Sequence, residues 1–189
     1  VIADDCSTDN TRKLVEPYAK HYEFVEYFCY AENIGLEENL LQAGSSCTGE
    51  YLWIFGDDDF LEHDSSLDKI MGFLSTNKYD MLIMNRTRRN VDLSNLITTN
   101  WMEMDESKEI EYSGLRDFVL DWGLLSVIGF ITVNIFRREA FYSINKEPYF
   151  GTMYPQLGMM AEAFHDASCL LIGRPLICHR THSAEEKAK

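Results

Sequence analysis

Two short stretches gather side chains able to do chemistry. Asp4 and Asp5 stand together in 1-VIADDCSTDNT-11, and Asp57, Asp58 and Asp59 stand together in 54-IFGDDDF-60, each group directly after an apolar run. Adjacent carboxylates repel one another, so gathering them costs stability unless a cation or hydrogen-bond donors offset the repulsion. A hard divalent ion such as Mg²⁺ or Mn²⁺ suits this arrangement, since its usual shell combines one or two carboxylates with substrate phosphates. Taken alone, an Asp-Asp-Ser cluster equally suits a cap or turn, and three acids equally suit a solvated loop. An EF-hand calcium loop fits poorly, because the glycine such a loop needs at its middle is missing.

The elements that must carry these residues follow from periodicity. Residues 1–3 end a strand, 7–11 form a loop whose Ser and Thr cap a helix running to about Ala19, and 23–30 is a second strand. A loop over 31–35 leads to a helix over 36–46, with Leu36, Leu40, Leu41 and Ala43 on one face. The unbroken apolar run 51–55 reads as a central parallel strand, followed by a helix over 65–77 and a strand over 79–85. This alternation predicts an α/β fold with a mainly parallel central sheet flanked by helices, in which ligands gather outside the carboxyl ends of the strands. Both acidic groups sit at such ends.

Beyond Asn85 the pattern weakens. Residues 86–111 are a polar, irregular excursion of the kind that carries function or stays mobile. A helix over 115–122, a strand over 127–136, helices near 137–144 and 156–167, and a strand over 169–179 complete the reading, with a solvated tail at 184–189. The whole of 1–189 reads as one domain, with 1–85 as its ligand-binding half and 86–183 as a second half; Val1 begins inside a strand, so a preceding first strand is expected upstream.

Composition narrows the classes. The chain has enough hydrophobic residues, 46%, to bury a core, and its net charge of −14 with no basic stripe beyond 86-RTRR-89 argues against nucleic acid as a partner. Five widely spaced cysteines with no CxxC pair point to reduced thiols in the cytoplasm. The longest apolar stretch, 124–136, contains Ser, Thr and Asn and is too short to cross a bilayer.

Together, 1-VIADDCSTDNT-11 and 33-NIGLEENLLQAGSSCTGEYLWIFGDDD-59 resemble the donor half of glycosyltransferase family 2, inverting enzymes with a GT-A fold. The order and spacing of the motifs carry this resemblance much more than any one of them. It implies that Asp4 and Asp5 contact the base and ribose of a nucleoside diphosphate sugar, and that Asn33 and Gly35 shape the neighbouring loop. It makes the 57–59 run the metal motif in one of two registers: Asp57 and Asp59 as an outer pair, or Asp58 and Asp59 as the working pair with Asp58 reaching the ribose. Asp59 is common to both. The implied cofactor is Mg²⁺ or Mn²⁺, neutralising charge on the departing diphosphate while an acceptor hydroxyl attacks the sugar.

The second half carries less. The family's general base usually belongs to a Glu-Asp pair opening a helix, but Met153–Gln156 occupies that place here, leaving Asp121, Glu162, His165 and Asp166 as weak candidates. Near the end, 179-HRTHS-183 resembles the element that closes family 2 domains and makes Arg180 a diphosphate contact and His182 a metal contact. Tyr112, Trp101 and Trp122 could stack on sugar, with core packing the alternative for Trp122. Segments 126–142 and 150–156 resemble bacterial enzymes that build O-antigen or capsule repeats, including the abequosyltransferase-like branch. That resemblance implies hexosyl or deoxyhexosyl transfer to a saccharide or lipid-linked saccharide acceptor, with peripheral membrane contact at the inner face. Two alternatives stay open: a nucleotidyltransferase, although no glycine-rich basic loop is visible, and a nucleotide-sugar binder that has lost turnover.

Overall fold

The structure, a computed structural model, describes residues 1–124, 128–152 and 154–181, and the chain clusters into two compact units, Val1–Leu52 and Trp53–Lys189.

The first unit is a βαβ arrangement. Strand β1 (Ile2–Asp4) leads to helix α1 (Thr11–His21) and returns as β2 (Tyr27–Cys29), which pairs in parallel with β1 so that Asp4 lies opposite Cys29. The expected Ser and Thr capping of α1 takes another form: Asp9 Oδ1 accepts from the Thr11 amide at 2.8 Å and from its hydroxyl at 2.6 Å. Helix α2 (Leu36–Ser46) follows with the predicted bounds; β3 (Tyr51–Trp53), two residues shorter than the apolar run promised, is an edge strand of the seven-stranded sheet.

The second unit contains β4 (Phe60–Leu61), α3 (Ser66–Ser75), β5 (Met81–Arg89), β6 (Leu96–Thr98), β7 (Glu109–Tyr112), α4 (Leu115–Trp122), β8 (Asn134–Arg137), α5 (Arg138–Ser143), α6 (Pro155–Ala163) and β9 (Cys169–Arg180). Its spine is the parallel pair β5 and β9, with Met81 to Met84 and Leu170 to Leu171 buried beside Phe118, Phe136, Phe141 and Phe164. Around that spine the pairing is antiparallel: β6 and β8 on β5, and β4 and β7 on β9. The α/β character expected from the sequence is present, but the sheet is mixed and not mainly parallel. The loop from β5 to β6 is short, and a short return permits only antiparallel pairing.

Val127 lies outside the described residues; over the rest of the strand expected at 127–136, a strand forms only at Asn134–Arg137, preceded by a 3-10 turn over Ile131–Val133. Asn134 causes this: its side-chain amide donates to the carbonyls of Ile128 and Phe130, both at 3.1 Å, and folds the apolar run back on itself. The 86–111 excursion contains β6 and β7, and it is fastened at buried Asn85. The Asn85 side chain donates to Asn100 at 2.5 Å and to the Gly173 carbonyl at 2.8 Å, and accepts from the amides of Arg86 at 2.8 Å and Met102 at 3.2 Å. Gly173 lies in a bulge where a Cβ would come within 2.5 Å of the Asp105 carbonyl oxygen, so only glycine lets the excursion cross β9 there. Among the described residues, no helix is long and apolar enough to cross a membrane.

Candidate active site

In the first unit the chain leaves β1 through Asp4 and Asp5 and turns sharply at Cys6, whose φ of 65° is left-handed. Asp4 is buried and fully used by this turn: Oδ1 accepts from the Ser7 amide at 2.7 Å and Oδ2 from the Tyr27 hydroxyl at 2.6 Å. Burial works against its charge, but the bonds from Ser7 and Tyr27 outweigh it and hold the carboxyl below its ordinary range. The same bond pushes the Tyr27 phenol up to about 12. Asp5, part-exposed, accepts from the amides of Ile34 at 2.7 Å and Gly35 at 3.0 Å, and the Asn33 side chain donates to its carbonyl at 3.2 Å. Gly35, with φ of 87°, takes the backbone conformation that lets both amides face Asp5 at the start of α2. Asp4, Asp5, Asn33 and Gly35, chosen from sequence, therefore form one hydrogen-bonded loop pair. Asp4 shapes it from inside, and Asp5 presents its edge.

In the second unit the acidic run forms a tight turn, with the Asp59 amide bonded to the Gly56 carbonyl at 3.3 Å. Asp57 is exposed, Asp58 half-buried and Asp59 buried, 7% exposed. A Cβ on Gly56 would come within 2.9 Å of Asp59 Oδ2 and 3.0 Å of Asp58 Oδ1, so these two carboxylates converge over the glycine. Thr132 completes the turn: its hydroxyl accepts from the Gly56 amide at 3.1 Å and donates to Asp59 Oδ2 at 2.5 Å, while the Trp53 indole donates to its carbonyl at 2.8 Å. The other oxygen, Asp59 Oδ1, is buried and has no hydrogen-bond partner among the described residues. Burial raises the Asp59 carboxyl to about 6 and the Asp58 charge adds to this, while the Thr132 hydroxyl, Arg86 and the Arg180 backbone pull the other way.

Among the described residues no group of three or more His, Cys, Asp or Glu is placed to hold a metal on its own. The set that does converge, Asp59 with Asp58, matches the one or two carboxylates with which a protein holds Mg²⁺ or Mn²⁺ when substrate phosphates complete the shell. Arg180, at the end of β9, lies with its guanidinium 5.5 Å from the Phe60 ring. His182 lies outside the described residues.

The weak base candidates are engaged locally. Asp121 accepts from the Tyr112 hydroxyl at 3.2 Å, Glu162 from the Tyr149 hydroxyl, and His165 Nδ1 lies 2.9 Å from Asp166. Trp122 donates to the Tyr112 hydroxyl at 2.8 Å, which ties both aromatics to the α4 region, whereas Trp101 stacks on Arg86. Two residues of the acidic turn's surroundings, Thr132 and Arg86, escape sequence reasoning. The one available signal for Thr132 is a hydroxyl inside the apolar run 124–136.

An α/β chain with acidic turns at the ends of two strands matches the model of glycosyl transferase family 2 over residues 1–144, well over half its length, and the chain belongs to that family. It has the GT-A fold: the S. aureus TarS structure in complex with UDP matches 94% of this chain and 49% of that one, with a TM-score of 0.69 at 17% identity. The TarS complex with UDP-GlcNAc matches 98% of this chain and 50% of that one, with a TM-score of 0.66 at 15% identity. In sequence the chain is similar to abequosyltransferase RfbV of Salmonella typhimurium, 30% identical over all of this chain and 59% of the relative. A glycosyltransferase of Mycoplasma pneumoniae with no assigned activity is 34% identical over 32% of this chain and 20% of its own. The chain thus spans less than two thirds of the length of these relatives.

Proposed function

We propose that this chain is the donor-binding part of an inverting, metal-dependent glycosyltransferase that moves a sugar from a nucleoside diphosphate to an acceptor hydroxyl in bacterial cell-surface polysaccharide synthesis. The observation that carries this is Asp59: a buried carboxylate with one oxygen bonded to Thr132 and the other without a hydrogen-bond partner among the described residues, in the turn that the family resemblance makes the metal motif. A cation at that oxygen would offset the burial that raises this carboxyl. In this reading Asp59 holds Mg²⁺ or Mn²⁺ with Asp58 beside it, and Asp57, exposed, stays outside the working pair. The cation supplies charge neutralisation for the departing diphosphate. The acceptor oxygen forms the new bond to the anomeric carbon, the bond from that carbon to the diphosphate oxygen breaks, and a base takes the hydroxyl proton. Asp5 presents its part-exposed edge to the nucleoside, and Asp4 sets the turn. The likeness to an abequosyltransferase and to TarS structures holding UDP and UDP-GlcNAc supports a nucleotide-sugar donor; the saccharide or lipid-linked acceptor met at the inner membrane face rests on the sequence resemblance alone.

Isothermal calorimetry with UDP, dTDP, GDP and CDP, with and without Mn²⁺, tests the reading on the wild type and Asp59→Ala. One nucleotide binds with Mn²⁺ and the substitution abolishes it; absence of binding by all four refutes the donor site. A second reading, a nucleotide-sugar binder without turnover, is favoured by one observation: Asp121, Glu162 and His165 are each engaged with a neighbour and no acidic pair stands at 153–156. Donor binding without release of nucleoside diphosphate in the presence of acceptor lipid extract distinguishes it.

A further inference from the structure

The basic cluster 86-RTRR-89, the one concentration of positive charge in a chain of net charge −14, lies on β5 and is divided by the strand. Successive side chains on a strand face opposite ways, so Arg86 and Arg88 share one face while Thr87 and Arg89 take the other. On the second face the charge is met: the Thr87 hydroxyl donates to Glu62, and Arg89 Nη2 lies 3.4 Å from the same carboxylate. On the first face, among the described residues, no hydrogen-bond acceptor meets several of the guanidinium N–H groups. Arg86 is 5% exposed, and its guanidinium carbon lies 4.3 Å from the centre of the Trp101 ring and 4.1 Å from that of Phe130. These rings cover the faces of the cation, but guanidinium N–H groups point outward along its edges. Arg86 Nε and Nη1, and Arg88 Nε, are buried without a hydrogen-bond partner among the described residues. Burial pushes the Arg86 guanidinium down to about 10; the charge of Asp59 opposes this, and the charge of Arg88 adds to it.

Parallel pairing of β5 with β9 sets His179 opposite Arg88, and the Phe130 ring packs on His179 at 4.4 Å. Trp101, Phe130, Arg88 and His179 are each half-buried, so the cluster lies one layer below the surface at the carboxyl end of β5. Buried donors on permanent cations are costly when unmade, and a chain so rich in carboxylates could have supplied acceptors here. Their absence is explained by a ligand that brings its own.

We propose that Arg86, backed by Arg88, forms an anion subsite that takes the phosphoryl oxygens of a diphosphate. The source of the diphosphate rests on the donor reading above: it belongs either to the nucleoside diphosphate or to a lipid-linked acceptor. The guanidinium fork matches phosphoryl oxygens in paired hydrogen bonds, and the Trp101 and Phe130 rings hold its plane fixed before the ligand arrives. Arg86 thereby supplies the part of diphosphate affinity that needs no metal, beside an acidic turn that supplies the part that does.

The test is calorimetry with inorganic pyrophosphate in EDTA, then with the four nucleoside diphosphates and Mn²⁺, then with farnesyl diphosphate, on wild type, Arg86→Lys, Arg88→Gln and the exposed control Lys13→Gln. Arg86→Lys keeps the charge and loses the fork, and it lowers pyrophosphate affinity about tenfold or more, with thermal stability followed in parallel. Arg88→Gln lowers it in the same direction and carries the test alone if Arg86→Lys does not fold. A parallel loss for one nucleoside diphosphate assigns the anion to the donor; a loss for farnesyl diphosphate alone assigns it to the acceptor. If wild type binds a nucleotide and both arginine variants bind every probe equally well, the subsite is refuted and the donor reading stands. If no nucleotide binds but pyrophosphate binding depends on Arg86, the donor reading fails and the subsite stands.

Discussion

Thr132 holds one oxygen of Asp59 with a single hydroxyl that also receives the Gly56 amide, and in the proposed reading the other oxygen is left to a ligand. Removing that hydroxyl while keeping the shape isolates its contribution. Thr132→Val leaves the main-chain carbonyl that accepts from Trp53, so the segment keeps its anchor. Asp59 then loses its one side-chain donor while still buried, and the metal-dependent affinity for nucleotide drops about tenfold. Thr132→Ser restores it. Calorimetry on the three proteins checks this, and equal affinities would show that Thr132 serves packing alone. In the first unit, Asp5→Asn puts an amide where two backbone amides donate, so it loosens the loop over 31–35. It weakens nucleotide binding about tenfold, while Lys13→Gln on the exposed side of α1 leaves it unchanged in the same titration.

At the scale of elements, the 86–111 excursion was expected to be irregular and instead contains the end of β5, then β6, β7 and the turns between them, with its 100–102 turn fastened to Asn85. That residue gives the excursion its position because its amide satisfies groups on two other segments at once: Asn100 and Met102 in the excursion and Gly173 in β9. Asn85→Leu leaves the Gly173 carbonyl and the Met102 amide without their side-chain partner in a buried place and costs about 3 kcal/mol. Urea denaturation measures that loss, and new cleavage within 90–108 under limited proteolysis shows the excursion released. Cleavage confined to 145–152 would mean that the excursion is held by other contacts. The carriers of Arg86 and Trp101 both depend on this joint, since the Trp101 amide donates to the Arg86 carbonyl at 3.0 Å.

Across the whole molecule, what could be read from sequence is local, and what could not is set by contacts between distant residues. Periodicity alone placed α2 and α4 at their observed bounds, because each shows an apolar stripe ended by a break such as Gly123. The strand expected over 127–136 failed because a continuous apolar run says nothing about where Asn134 will fold it back. Thr132 and Asp59 are 73 residues apart, and no spacing rule links them. The sheet's direction was misread for a similar reason: β4, β6 and β7 are two to four residues long and leave little trace in the sequence.

The base of the central sheet offers the clearest charge-dependent prediction. Asp80, just before β5, accepts from Arg137 Nε at 2.8 Å, from the Ser168 amide at 2.9 Å and from its hydroxyl at 2.7 Å, joining the starts of β5 and β9 to the end of β8. Partial burial opposes its charge, but Ser168 and Arg137 prevail and hold the carboxyl below its ordinary 3.8. The sign follows from linkage: a carboxyl depressed in the folded state adds stability that is fully present above 3.8 and is lost as pH falls through its folded value. The side chain is 35% exposed, so solvent screening keeps the contribution to about 1–2 kcal/mol. Urea denaturation of wild type and Asp80→Asn at pH 7 therefore differs by that amount, and the two curves draw together as pH drops below 3.8. A difference that stays constant down to low pH would mean that the bonds to Ser168 and Arg137 act through geometry and not through the charge of Asp80.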